Sequence, residues 1–244
     1  ELKKYWVGGN KIALITFYRA LVTSGNLKPI DALIKKLLEE GINPLPVYVS
    51  SLKDQHSDEF IAELTKKLNI SGVLNTTAFA VSSTESPAKA GPFRNTDCPV
   101  FQLILSSSEK DTWLASPTGL SPRDIAMNVA LPEVDGRLIS RAVSFKSSAE
   151  YDRKTQCSIV TYKPVRDRIS FVVNLIKSWI KLRYIPADKK RLAIILSNYP
   201  NKDSRIGNGV GLDTPASAIS ILRALKKRGY LIKDIPKNSA SLMK

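Results

Sequence analysis

Polar side chains crowd around three glycines in the last fifth of this 244-residue chain. Asn198, Tyr199, Asp203, Arg205, Asn208 and Asp213 surround Gly207, Gly209 and Gly211. The loop lies between an apolar run at 192–196 and a helical stripe of Ile219, Leu222 and Leu225. A run that short and that rich in isoleucine suits a strand buried on both faces. Thr214 can cap the helix, Pro215 suits its first position, and Gly229 closes it. A strand, a glycine loop and a helix N-terminus gather unpaired N–H groups at a positive helix end, which favours an anionic or amide-bearing ligand. Arg205 can pair with a carboxylate there, and the backbone of 207–211 can donate to amides. The spacing matches neither the dinucleotide fingerprint nor a nucleotide P-loop, so ATP hydrolysis is not encoded in it. A tight strand-to-helix turn is the plainer reading of the same glycines.

Elsewhere the chemistry is sparse. His56 is the one histidine; it stands in a polar loop with no second His or Cys at ligand spacing, so it reads as a surface residue and no metal site is expected. Glu133 and Asp135 place two carboxylates in one loop, either a solvated turn or a cleft lining. Cys98 and Cys157 are isolated, which fits a reducing cytoplasm and excludes a disulfide framework. No Ser/His/Asp or Cys/His set can be assembled.

The elements that would position these groups alternate. Residues 12–18 form an apolar strand run, followed by a loop holding Arg19 and Asn26, and then by a helix with Ile30, Leu33, Ile34, Leu37 and Leu38 inward and Gly41 at its end. Strands are expected again at 45–50, from Val73, at 99–105 and at 138–145, and a helix whose inner face is Phe60, Leu64 and Leu68. A helix over 123–129 should stop before Pro132. Such alternation predicts an α/β fold with a parallel sheet covered on both faces, in Rossmann-like or periplasmic-binding-protein-like units. Two lobes are expected, the second incomplete: 1–148 as the first αβ lobe, 149–190 as a connection with a long helix, and 191–244 as the truncated start of the second. Ligands in such sheets sit outside the carboxyl ends of the strands, where Arg19, Asn26, Glu133 and Asp135 become candidates for lining a cleft.

The formal charge of +15 favours anionic partners. Basic residues dominate 153–191, where Asp167 and Asp188 are the acids. No nucleic-acid-binding motif accompanies the charge, so a solvated helix face is expected and nucleic acid is not. The most apolar segment, 169–182, is interrupted by Lys177 and Lys181 and is too short to span a bilayer.

The string SNYPNKDSRIGNGVGLDTPAS closely resembles the large subunit of aerobic cobaltochelatases (the CobN type) and, less closely, the porphyrin-binding H subunit of magnesium chelatases. FYRALVTSGN, PVYVSSLKD, VLNTTAF and SPRDIAMNVALPEVDGRLISRAVSF are similar to the same family. The resemblance implies a segment of a tetrapyrrole-binding subunit that inserts Co²⁺ into hydrogenobyrinic acid a,c-diamide during cobalamin synthesis. It also implies AAA+ ATPase and adaptor partner subunits that use the ATP, with no cofactor bound by this segment and catalytic residues outside it. By the same resemblance Asn198, Tyr199, Asp203, Arg205, Gly207, Asn208, Gly209, Gly211 and Asp213 become candidates for holding the tetrapyrrole. The alternatives are a magnesium-chelatase H-type subunit and a stand-alone two-lobed module for a small anion.

Overall fold

The computed structural model describes residues 2–9, 11–82, 91–147, 150–196 and 207–244. They fall into two compact units, Glu1–Ile180 and Lys181–Lys244.

The first unit is built on a six-stranded sheet. In chain order its elements are β1 (Ile12–Tyr18), α1 (Arg19–Thr23), α2 (Lys28–Glu39), β2 (Asn43–Val49), α3 (Gln55–Lys67), β3 (Ile70–Asn75), β4 (Val100–Glu109) and α4 (Lys110–Ala115). Then follow α5 (Pro122–Ile125), a π-helical turn (Ala126–Ala130), α6 (Leu131–Val134), β5 (Leu138–Lys146), β6 (Glu150–Asp152), β7 (Cys157–Ile159), β8 (Tyr162–Pro164) and α7 (Arg166–Tyr184). The sheet order is β2-β1-β3-β4-β5-β8. Strands β2 to β5 are parallel, and β8 closes one edge antiparallel to β5. The parallel α/β expectation is thereby met.

Both faces of the sheet are covered. Ala13, Ile15 and Phe17 of β1 pack with Leu33 and Leu37 of α2 and with Ile169, Val172, Val173, Ile176 and Ile180 of α7. Alternation turns Ile12 and Leu14 to the other face, against Ile61 of α3. The apolar stripe of α7 is buried in the core of the first unit. Its flanking aromatics are half exposed: Phe171 lies 3.4 Å beneath the Arg141 guanidinium, and Trp179 meets Phe101 edge-on at 6.1 Å. Gly72 in β3 lets α7 come close, since a Cβ there would stand 2.7 Å from Ile176 Cδ1.

Three local readings need correction. Leu64 of α3 and Leu68 at its C-cap pack against the core as expected, but Phe60 is 54% exposed and Ile61, Ala62 and Thr65 are the buried residues of the helix. Asp54 caps the helix, its carboxylate accepting the Ser57 N–H at 3.0 Å. The helix from Pro122 does not stop before Pro132. The π turn carries it through, with the Leu131 N–H reaching back to the Ala126 carbonyl, so the missing N–H of Pro132 falls where the chain has already left α-helical bonding.

The third correction lies in the second unit. Residues 192–196 are not in a strand, and Ile195 is 92% exposed. A strand exists only by pairing, and among the described residues of this unit no strand lies beside it. Among the described residues of this unit stand a 3₁₀ turn (Ala187–Lys189), α8 (Thr214–Lys227) and α9 (Ser239–Leu242).

Candidate functional site

The sheet order of the first unit places its topological switch point between β1 and β3, because the chain leaves β1 to one side and returns to β3 on the other. The carboxyl ends of these two strands carry a buried polar network. Thr16, Asn75 and Gln102 are each fully buried, one on each of three neighbouring strands. Thr16 Oγ1 donates to Asn75 Oδ1 at 2.6 Å, and Thr77 Oγ1 donates to the same oxygen at 2.9 Å. Asn75 Nδ2 donates to Gln102 Oε1 at 2.7 Å and to the Thr77 carbonyl at 3.0 Å. Gln102 Nε2 also reaches the Thr77 carbonyl, at 2.9 Å. Each amide thus uses both its oxygen and its nitrogen, which is what makes burial of such groups tolerable.

The network ends in an ion pair. Arg137 Nη1 donates to Gln102 Oε1 at 3.0 Å, and Nη2 to Asp135 Oδ2 at 2.6 Å. Burial lowers the Arg137 pKa, opposed by the Asp135 charge. The other acceptor sites of Asp135 take the backbone N–H groups of Val81 at 2.8 Å and Ser82 at 2.9 Å. Across the switch point the Tyr18 hydroxyl donates to the Ala78 carbonyl at 3.2 Å, and burial raises the pKa of that phenol.

Residues 76–82 are therefore tied at several points to β1, to the turn after α6 and to the π turn. One residue within them is strained. Phe79 has φ 67°, in the left-handed region that costs a bulky side chain about 1–2 kcal/mol. Its N–H donates to the Met127 carbonyl at 2.9 Å. That carbonyl is available because the residue that would donate to it in a π turn is Pro132, which has no N–H.

The sequence-derived candidates divide. Asp135 is the hub just described. Asn26 is a brace, its Oδ1 accepting the Tyr162 N–H at 2.8 Å. Arg19 and Glu133 are exposed, Arg19 at the start of α1 directly after β1 and Glu133 on α6. Asn198, Tyr199, Asp203 and Arg205 lie outside the described residues.

The rest of the glycine loop is a tight turn. Gly207 and Gly211 have φ of 68° and 72°, and Gly209 bridges to Leu212. The Leu212 N–H donates to the Gly209 carbonyl at 3.1 Å, and the Thr214 N–H to the Leu212 carbonyl at 3.0 Å. Those two amides turn inward. The N-cap of α8 is Asp213, not Thr214, since its carboxylate accepts the Ala216 N–H at 3.0 Å. His56 is exposed on the first turn of α3. Among the described residues no three His, Cys, Asp or Glu side chains gather as a metal site, and no helix is long and apolar enough to cross a membrane.

Sequence reading missed Thr16, Asn75, Thr77, Gln102 and Arg137. The signal for three strand residues was present: a polar residue inside each of IALITFY, ISGVLN and VFQLILSSSE.

Fold and network together define a mostly parallel α/β unit with a buried polar network at its switch point. Residues 3–244 match the family model for CobN/Magnesium Chelatase, and the chain belongs to that family. It is 44% identical over 230 residues to the aerobic cobaltochelatase subunit CobN of a Sinorhizobium species, covering 94% of this chain and 18% of that protein. It is 40% identical over 239 residues to the CobN subunit of Pseudomonas aeruginosa, covering 98% and 19%. To the chloroplastic magnesium-chelatase subunit ChlH of rice the identity is 25% over 236 residues, covering 94% and 16%. Among solved structures, the catalytic subunit of cobaltochelatase from Mycobacterium tuberculosis superposes with a TM-score of 0.76 at 31% identity, over 96% of this chain and 20% of that one. The chain thus spans about a fifth of the length of these relatives.

Proposed function

We infer that this chain is part of the large, tetrapyrrole-binding subunit of a cobaltochelatase, which inserts Co²⁺ into hydrogenobyrinic acid a,c-diamide at the expense of ATP hydrolysed by partner subunits. The reading is carried by the gap between 44% identity to a cobaltochelatase subunit and 25% to a magnesium-chelatase subunit, across nearly the same residues. The switch-point geometry supports it, because a rigid loop at the carboxyl ends of β1 and β3 stands where this sheet order takes its ligands.

The role of the first unit is to hold the macrocycle. Arg137 is neutralised by Asp135 and stays within the network, so its task is to position residues 76–82. Arg19, exposed beside that loop's anchor Tyr18, is the side chain offered to a carboxylate of the substrate. Taken by itself, the glycine loop of the second unit is proposed to offer Asn198, Tyr199, Asp203, Arg205, Asn208 and the backbone of 207–211 to a tetrapyrrole. Asp213 caps α8 there and contributes by fixing the turn. The enzyme's partner subunits, its place in cobalamin synthesis and a cytoplasmic setting belong to the same proposal.

The test is cobalt insertion by the full-length protein with its ATPase and adaptor subunits, followed by the absorbance change of the corrinoid. Insertion that needs both ATP and the partners is expected. Mg²⁺ insertion into protoporphyrin without cobalt insertion would assign the chain to the magnesium enzyme instead.

A further inference from the structure

A left-handed phenylalanine survives in a fold when its surroundings determine its backbone more strongly than its own preference does. Phe79 is such a residue. Ala78 before it is held by Tyr18, its own N–H by Met127, and Val81 and Ser82 after it by Asp135. The ring these bonds present is 47% exposed and belongs to none of the three hydrophobic cores formed by the described residues. Burial therefore does not explain why an aromatic side chain stands at a position suited to glycine. Gln156, the other non-glycine residue with positive φ among the described residues, is different. It lies in the exposed turn between β6 and β7, where such a backbone is ordinary. Phe79 instead stands two residues before the clamp at Asp135, beside the switch point between β1 and β3.

We propose that Phe79 is a stacking platform for the conjugated face of the tetrapyrrole. This rests on the tetrapyrrole-binding reading above and adds to it the residue that recognises the ring system rather than its carboxylates. An aromatic ring fixed before binding loses little freedom when a flat ligand settles on it, and it favours offset-stacked or edge-on contact. The strain at φ 67° is the cost of holding the ring there in the absence of ligand.

The experiment is a fluorescence titration of the full-length protein with hydrogenobyrinic acid a,c-diamide, run on the wild type and on Phe79→Gly, Phe79→Leu and Phe79→Trp, with a thermal melt of each. Phe79→Gly is expected to melt at the same or a higher temperature, since glycine adopts this backbone freely, while its Kd rises about tenfold. Phe79→Leu, which keeps apolar bulk without a π face, should weaken binding several-fold, and Phe79→Trp should hold it within about twofold. A Phe79→Gly protein that binds like the wild type overturns the proposal, as does a Phe79→Leu protein that does so. A wild type that binds no tetrapyrrole refutes the ligand reading itself, a result separate from unaltered variants of a protein that does bind.

Discussion

Two loops of this chain each follow an apolar run, and they are held in opposite ways. Residues 76–82 follow a strand paired on both sides and are fastened by side chains from three other segments of the first unit. Residues 207–213 follow a run that is not in a strand, and the bonds at their end are to their own backbone and to the first turn of α8. The glycine-rich loop draws attention in the sequence because glycine is conspicuous there. The loop with the more determined geometry contains no glycine at all. Rigidity comes from long-range partners, so composition is a poor guide to which loop is organised for a ligand.

Breaking the first loop should have the largest effect. Arg137→Met leaves Asp135 without its cation beside a buried amide network, and removal of one partner of a buried pair costs about 3–5 kcal/mol. Urea denaturation should show that loss. Asp135→Asn combined with Arg137→Met should cost less than the two single changes added together, because the pair acts as a unit. Next comes Gly72→Ala, which forces a methyl against Ile176 and should cost about 1–3 kcal/mol. Shortening the neighbour with Ile176→Val should recover part of it, measured in the same denaturation.

The second loop should respond more weakly and more locally. Asp213→Ala removes the cap of α8 at about 1 kcal/mol, visible as faster amide exchange over the first turn of that helix. The smallest effect belongs to Glu40, at the end of α2. It accepts from Lys177 of α7 at 2.8 Å and from Lys36 at 2.6 Å, and these two ammonium groups depress its pKa from 4.5 to about 2. A depressed carboxylate stabilises the fold fully above its unfolded value and loses that contribution as pH falls through its folded one. Acid melts of the wild type should therefore decline between 4.5 and about 2, and Glu40→Gln should flatten that part of the profile.

Much of the first unit was legible because its signals are local. The apolar runs of β1, β3, β4 and β5, the α2 stripe ended by Gly41, and the stripe of α7 follow from periodicity alone. Residues 192–196 carried the same strand pattern and did not form one, because pairing depends on a neighbour that the run cannot reveal. The cap of α8 moved from Thr214 to Asp213 because adjacent residues were both competent. The switch-point network escaped notice for a related reason: a lone threonine, asparagine or glutamine in an apolar run looks like tolerated noise until strand order puts the three side by side. Phe79 was hidden more deeply, since its backbone depends on Pro132 freeing a carbonyl more than fifty positions away.

Ligand discrimination by the full-length protein tests the central claim most directly. Titrated in parallel with hydrogenobyrinic acid a,c-diamide and with protoporphyrin, and followed by tryptophan fluorescence, it should bind the corrinoid precursor at least about tenfold more tightly, a difference of about 1.4 kcal/mol. Tighter binding of protoporphyrin, or no response to either macrocycle, would contradict the assignment.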